Sequence, residues 1–215
     1  QAYYFDGKMR TEEDLVIALI PYVRQMVKDI SALPEHISYQ TAHAFQQFDN
    51  ISVADYIKSI GISGWLYNFL QVLMTREYGM EIEEQSAINF LIMFQAPEAK
   101  KDKYTLFGEG HEVFRIKGGA MHLTDTLHAR LKEQVKLSHR LTEIRAGKDG
   151  KSYELDFFTD GKTKTIIADF VISTIPFTIL RKIPMHLPMA PEKRKCIDEL
   201  GYGNSCKVIL GMDKK

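Results

Sequence analysis

The sequence predicts an α+β protein in which a helical lobe, residues 1–105, packs beside a lobe with a mixed or antiparallel sheet, residues 106–215. Three observations predict this organisation. Segments with helical periodicity fill the first half and end at Gly or Pro. Short β-prone runs separated by Gly-containing turns dominate the second half. The composition, 45% apolar and 26% charged over 215 residues, is typical of a globular chain with ample material for a core.

Four helices are expected in the first half. The first begins after Thr11, whose hydroxyl precedes three acidic residues, and it ends near Leu33 because Pro34 follows. Residues 35–51 lack periodicity and are interpreted as a loop with at most a short helical turn. The other expected helices cover residues 53–60, 65–78 and 81–94. The first two of these end at glycines, which favour the C-terminal position of a helix.

The second half alternates strands and helices. Strands are expected over residues 113–117, 135–138, 141–146, 153–159, 164–168, 171–174 and 206–212. Asp160 and Gly161 have the residue types of a two-residue hairpin turn. Helices are expected over residues 121–133, 176–182 and 191–200. Pro191 suits the first position of the last helix.

Charge and composition exclude several functional classes. The 28 basic and 28 acidic residues cancel, so the basic excess of a nucleic-acid-binding protein is absent. No apolar run reaches the roughly 18 residues of a membrane span. The histidines show no metal-binding spacing, so no metal site is expected. The only cysteines, Cys196 and Cys206, form no disulfide framework, which predicts a reducing, cytoplasmic location.

The most informative segment is a predicted strand that enters Gly118 and Gly119 and continues as a helix. Leu123, Leu127 and Leu131 follow at a spacing of four residues, which places them on one helical face. Adjacent glycines allow the backbone to turn sharply and to approach a ligand closely. The segment fits both a ligand-approach element and a tight connection between a strand and a helix.

Lys207 is the other candidate for chemistry. It lies in a nearly continuous apolar run that is expected to form the last strand. A lysine in such a strand either extends its ammonium group to water or stays in a partly dry site. A desolvated lysine has a lowered pKa and can hold a water molecule or take part in proton transfer.

In their order and spacing, several segments resemble the flavin-dependent amine oxidase family. These segments are RIKGGAMHL at 115–123, VKL at 135–137, LTEI at 141–144, ADFVISTIPFTIL at 168–180, PEKRK at 191–195, ELGYG at 199–203 and KVIL at 207–210. In the first half, SVADYI at 52–57, EYG at 77–79 and QSA at 85–87 resemble the family's substrate domain. The resemblance implies part of an FAD-binding fold that carries a helical substrate lobe.

The resemblance also implies roles for individual residues. The implied cofactor-binding residues are Gly118, Gly119, Leu141, Thr174 and Pro176. The glycines would lie near the flavin, and the backbone of Leu141 would meet the adenine of FAD. Lys207 would match the family lysine that holds a water near the reactive flavin nitrogen, a catalytic role. Substrate contacts are expected from Tyr67, Phe69, Met74 and Tyr78.

The implied reaction removes a hydride from the carbon next to an amine, with oxygen as the final electron acceptor. Two alternatives remain: an FAD-dependent desaturase or protoporphyrinogen-type oxidase, and a non-catalytic interaction domain with this architecture. The family's GxGxxG unit and its C-terminal closing segment are not among these 215 residues. The chain is therefore expected to be an internal fragment of a flavoenzyme that alone binds FAD weakly or not at all and has no turnover.

Overall fold

The computed structural model describes residues 2–94, 114–211 and 213, and it divides the chain into two compact units. The first unit comprises Gln1–Val113 and Gly203–Lys215, and the second comprises Phe114–Tyr202. The expected lobe boundary between residues 105 and 106 lies outside the described residues. The segment after residue 202 was expected in the second lobe, whereas its contacts assign it to the first unit.

The first unit is mainly helical. Its elements are β1 (Ala2–Phe5), β2 (Lys8–Thr11), α1 (Glu12–Ser31), a 3₁₀ helix (Tyr39–Ala44), α2 (Gln46–Asp49), α3 (Val53–Ser59), α4 (Gly64–Tyr78) and α5 (Ala87–Met93). The predictions for α1, α3 and α4 are confirmed. The α5 helix begins six residues later than expected, since Ser86 caps it and residues 81–86 form turns and a bridge.

Capping explains where these helices start. The Thr11 hydroxyl accepts a hydrogen bond from the Asp14 amide at 3.2 Å, and the Asp14 carboxylate accepts one from the Thr11 amide at 2.8 Å. Such a reciprocal pair satisfies amides that have no partner within the helix. Ser52 accepts a hydrogen bond from the Asp55 amide at 3.0 Å in the same way. These local signals are readable from sequence, which is why the starts of α1 and α3 were predicted.

The hydrophobic core of the first unit lies among α1, α3, α4 and α5. Its most deeply buried side chains are Leu15, Val53, Ile57, Ile62, Leu70, Met74, Ile82, Phe90 and Leu91. The loop before α5 joins the start of α3 by backbone hydrogen bonds, from Val53 to Gln85 at 2.9 Å and from Ala54 to Ile82 at 3.1 Å. These bonds fix the α4–α5 connection against the core.

The β1–β2 hairpin was not predicted. Ala2–Phe5 pairs antiparallel with Lys8–Thr11 across Asp6 and Gly7, both of which have positive φ angles. An Asp-Gly pair at the two central positions is the preferred sequence for such a turn. The signal was therefore present in the sequence.

The second unit contains a four-stranded sheet. Its elements are α6 (Met121–Arg130), β3 (Arg140–Ala146), β4 (Tyr153–Thr159), β5 (Lys162–Ala168), α7 (Phe177–Leu180), β6 (Met185–His186) and α8 (Pro191–Glu199). The strand order is β5-β4-β3-β6, with β6 parallel to β3 and the other pairs antiparallel. The hairpin at Asp160 and Gly161 is confirmed, with φ angles of 50° and 74°.

Four expected strands are corrected by the structure. No strand forms over the described parts of the segments predicted at 113–117, 135–138, 171–174 and 206–212. Residues 113 and 212 lie outside the described residues. Apolar alternation gives a segment the tendency to form a strand, but a strand also needs a hydrogen-bonding neighbour. The segment predicted as a buried strand is instead exposed: 92% of Ile172 is accessible to solvent, as is 90% of the preceding Phe170.

Candidate functional site

The Gly118–Gly119 turn has the geometry of an approach surface. The two residues have φ angles of 89° and 90°, and no atom of the described residues lies within 4 Å of where a Cβ would stand on either one. The Gly119 amide donates to the Ile116 carbonyl at 3.0 Å, which closes the turn. The α6 helix begins two residues later, and no side chain caps its N-terminus. The turn therefore presents bare backbone that nothing in the described part of the chain covers.

The helix that follows is uncovered. Leu123, Leu127 and Leu131 are exposed, and α6 has no buried residue. The predicted apolar face is thus present, and within the described residues nothing covers it. Large exposed apolar patches on soluble proteins mark surfaces of interaction.

Leu141 lies near one end of β3, next to an irregularity. It pairs with Phe157 of β4, and the register then shifts before Glu143, so that Thr142 has no paired residue opposite it. The Thr142 hydroxyl instead donates to the Asp156 carbonyl at 3.0 Å. On the other side of β3, the pairing with β6 includes only Ile144 and Arg145. Bulges of this kind often terminate pairing beside functional sites.

Thr174 and Pro176 lie in the segment that leads into α7. Thr174 is exposed and belongs to no strand. The Pro176 carbonyl accepts hydrogen bonds from the amides of Ile179 and Leu180, both at 2.9 Å, and so starts the short helix. The Phe177 amide donates to the hydroxyl of Tyr202 at 3.0 Å. The end of this segment is therefore anchored, although the segment is not part of the sheet.

Lys207 lies in an exposed segment of the first unit that belongs to no helix or strand. The structure does not give it the apolar strand environment that the sequence predicted. The segment is attached near its start, where the Asn204 amide donates to the Gly79 carbonyl at 3.1 Å. The predicted cofactor-binding residues lie in the second unit, whereas Lys207 and the predicted substrate residues lie in the first.

The predicted substrate residues divide into two kinds. Phe69 and Met74 are buried in the helical core, and the Phe69 ring packs edge-on against Tyr3, with centroids 5.0 Å apart. Tyr67 and Tyr78 keep some exposed surface. The Tyr78 hydroxyl donates to the Asn89 carbonyl at 3.3 Å, and burial, together with the charge of nearby Glu77, raises the pKa of Tyr78.

An open groove in the first unit was not anticipated. It encloses about 510 Å³ and is lined by Gln25, Asp29, Gln47, Phe48, Ile51, Tyr56, Ser59 and Ile60. The Tyr56 hydroxyl donates to the Asp29 carboxylate at 2.9 Å, and the Gln25 amide group donates to both oxygens of that carboxylate. Burial and the hydrogen bond to Asp29 raise the pKa of Tyr56. The spacing of Gln25 and Asp29 on one helix was a readable signal.

A charged cluster on the sheet was also missed. Arg145 of β3 contacts Glu143 at 3.0 Å, Glu154 at 3.4 Å and Asp156 at 2.7 Å. The hydrogen bond from Arg145, followed by that from Thr165, lowers the pKa of Asp156. Alternating charges on neighbouring strands predict such a cross-strand cluster. Its members satisfy one another, so the cluster is best interpreted as a stabilising feature of the sheet.

Neither a metal centre nor a membrane span is found among the described residues. In that part of the chain, no three His, Cys, Asp or Glu side chains are grouped so that they could hold a metal ion. Among residues 2–94, 114–211 and 213, no helix has the length and apolar character needed to cross a membrane.

Comparison with known proteins finds a matching family and curated relatives. Residues 3–215 match the model of the family described as flavin containing amine oxidoreductase. An L-glutamate oxidase precursor from Streptomyces viridosporus is 26% identical over 120 residues, which are 47% of this chain and 18% of that protein. One from Streptomyces diastatochromogenes is 28% identical over 115 residues, or 45% and 18%.

Solved structures agree in fold. A putrescine oxidase triple mutant redesigned in its cofactor binding has a TM-score of 0.68 at 12% identity, covering 91% of this chain and 44% of that one. The cyclohexylamine oxidase from Brevibacterium oxydans has a TM-score of 0.61 at 12% identity, covering 92% and 44%. The chain thus spans less than half the length of these relatives. Because the family model matches almost every residue, the chain belongs to the flavin-containing amine oxidoreductase family.

Proposed function

We propose that the protein carrying these 215 residues oxidises an amine or amino acid to an imine, with a bound FAD accepting a hydride and oxygen reoxidising the reduced cofactor. The family match over residues 3–215 carries this proposal. The comparison proteins support the substrate class, because their names specify L-glutamate, putrescine and cyclohexylamine. All three have an amino group on a carbon that can lose a hydride.

The Gly118–Gly119 turn fits a role in holding the cofactor. A Cβ at either glycine would project into space that no described residue fills, and the positive φ angles would strain any other residue there. In the first turn of α6, the His122 and Leu123 amides donate to the Gly119 and Ala120 carbonyls, so the contribution of this region would come from the bare backbone of the glycines and not from the helix N-terminus. The backbone of Leu141 at the β3 irregularity, together with Thr174 and Pro176 before α7, would complete the cofactor contacts.

Lys207 would supply the catalytic side chain. Its amine would hold a water molecule by hydrogen bonding near the site of hydride transfer. Lys207 is exposed in this structure, so the partly dry site that the sequence suggested would have to be completed by other parts of the assembled protein. Tyr67 and Tyr78, which keep accessible surface, are the stronger candidates for substrate contact, whereas Phe69 and Met74 would shape the pocket from behind.

The test uses the full-length parent protein with an amine panel that includes L-glutamate, putrescine and cyclohexylamine. We expect anaerobic addition of a substrate to bleach the flavin absorbance, and oxygen to restore it with release of hydrogen peroxide. Lys207→Met should slow flavin reduction by about 10²-fold, the scale of a lost proton-handling group. If a porphyrinogen or a carotenoid-like substrate reduces the flavin and no amine does, the result would favour the protoporphyrinogen-type oxidase or the desaturase. A parent protein that binds no flavin would contradict the proposal.

The 215-residue chain alone is expected to bind FAD weakly or not at all and to have no turnover. The exposed Phe170 and Ile172, and the 44% share of the solved relatives, support this expectation. Titration of FAD with the purified chain, followed by flavin fluorescence, measures it directly. A yellow purified chain with a bound-flavin spectrum would show that the expectation is wrong.

A further inference from the structure

A backbone crossing joins the end of α4 to the segment that carries Lys207. The α4 helix ends at Tyr78 and is followed by Gly79, which has a φ of 69° and donates its amide to the Thr75 carbonyl at 2.8 Å. The Gly79 carbonyl in turn accepts the 3.1 Å hydrogen bond from the Asn204 amide. This crossing lies wholly within the first unit.

The crossing is too close for side chains. A Cβ on Gly203 would collide with the Tyr78 carbonyl oxygen and lie 3.2 Å from the Gly79 Cα. A Cβ on Gly79 would lie 2.7 Å from the Ser205 hydroxyl and 3.0 Å from the Gly203 Cα. These neighbours are largely backbone atoms, which cannot move aside as a flexible side chain can. The φ of Gly203 is not positive, so only close packing requires a glycine there.

The α4 side of the crossing is fixed to the core. Gln85, only 3% exposed, donates from its side-chain amide to the Met80 carbonyl at 2.7 Å and to the Met74 carbonyl at 3.2 Å. Met74 is fully buried. The turn after α4 is therefore held in place by hydrogen bonds from a buried side chain.

The other side of the crossing lies on the surface of the first unit. Residues 203–211 are all exposed and belong to no helix or strand. Lys207 follows Asn204 by three residues, which is a span of about 10 Å in extended chain. The hydrogen bond from Asn204 to Gly79 thus determines where the segment that carries Lys207 starts.

We propose that the glycine crossing of Gly79 and Gly203 is a positioning device for Lys207. The inference rests on the catalytic role of Lys207 in the proposed function. The crossing fixes where the lysine segment leaves the end of α4, and with it the point from which Lys207 would reach the reacting carbon. Gly79 and Gly203 are positioning residues, because they act through Lys207.

The first readout needs no flavin. In the 215-residue chain, Gly203→Ala should raise the hydrogen-exchange rate of the Asn204 amide at least about tenfold, because its bond to Gly79 is displaced. Gly211→Ala is the matched control, since no atom of the described residues lies within 4 Å of a Cβ there. Helical circular dichroism should be unchanged in both variants, because the displaced segment is exposed. An Asn204 amide that exchanges at the wild-type rate in Gly203→Ala would overturn the proposal.

The second readout is flavin reduction in the full-length parent. Gly203→Ala should lower the limiting rate by about 10- to 100-fold, as misplacement of a catalytic group by about 1 Å does. The apparent dissociation constant of the substrate should stay within about twofold of wild type. In a Lys207→Met background, the same substitution should cause no further loss. An equal loss in both backgrounds would show a general structural role and overturn the inference alone.

Two additional results separate the possible failures. A Lys207→Met variant that reduces flavin at the wild-type rate would refute the catalytic role of Lys207 and the positioning inference with it. If Gly203→Ala does not fold, Gly79→Ala replaces it, with Gly7→Ala as the control for backbone strain. Gly7 has a similar φ of 74°, but its Cβ position has no atom within 4 Å among the residues that the structure describes. If the hydrogen-exchange rate of the Asn204 amide is the same in Gly79→Ala and Gly7→Ala, that result would also overturn the proposal.

Discussion

Replacing Tyr56 by Phe tests the groove of the first unit. Tyr56 is 2% exposed, and its hydroxyl donates to the Asp29 carboxylate at 2.9 Å. Hydrogen bonds to charged groups contribute about 1.5–3 kcal/mol to stability. Asp29 keeps the bonds from Gln25 and borders an open groove, so water can replace the lost donor. We therefore expect a loss of about 1–2 kcal/mol, below the middle of that range.

The assay is urea unfolding of the 215-residue chain, followed by helical circular dichroism. Asp29→Asn, introduced both into the wild type and into the Tyr56→Phe variant, isolates the energy of the pair. A loss below about 0.3 kcal/mol, within the usual error of additivity, would refute the reasoning from this hydrogen bond.

The same pair predicts a response to alkaline pH. Because the pKa of Tyr56 is raised on folding, its contribution to stability is complete below the unfolded tyrosine pKa of about 10 and is lost as pH rises above it. The loss of stability in the wild type should therefore steepen above about pH 10, and Tyr56→Phe should flatten that part of the curve. Identical alkaline profiles would contradict the assignment.

Two further predictions concern the second unit. Asp156→Asn should make the stability of the protein less sensitive to acid. The lowered pKa of Asp156 gives stability that is complete above about pH 4 and is lost as pH falls through the pKa of the folded state. Thermal unfolding between about pH 2 and 7 measures this loss. An unchanged profile would exclude the Arg145–Asp156 pair as its source. Gly118→Ala in the full-length parent should weaken FAD binding at least about tenfold, or about 1.4 kcal/mol, by equilibrium titration. Gly150→Ala, with a φ of 66° and open surroundings, controls for backbone strain, and equal weakening in both variants would contradict a cofactor role for the turn.

Elements defined by local signals were predictable from the sequence. The hydroxyl caps at Thr11 and Ser52, the helix end at Gly79 and the hairpin at Asp160 and Gly161 each depend on neighbours a few residues away. Strands that require a distant partner were not predictable, because alternation shows which residues can enter a sheet but not whether a neighbour is present. The segment around Ile172 has the apolar alternation of a strand but pairs with no strand of the described residues.

The candidate site divides in the same way. The open turn at Gly118 and Gly119 was visible as a residue pair, since only glycine readily tolerates those φ angles. The Gly79–Gly203 crossing was not, because it joins residues far apart in the chain. Gln85 was equally hidden: its role depends on two carbonyls that only the folded α4–α5 connection brings within reach.

The uncovered face of α6 has a consequence for handling the isolated polypeptide. Leu123, Leu127 and Leu131 form an exposed apolar stripe on α6. Exposed apolar surface of this kind promotes aggregation as protein concentration rises. Light scattering should therefore increase with concentration. Replacing Leu123 and Leu127 by Glu should prevent this aggregation without disturbing the sheet. These two positions are therefore useful sites of substitution for expression and crystallisation.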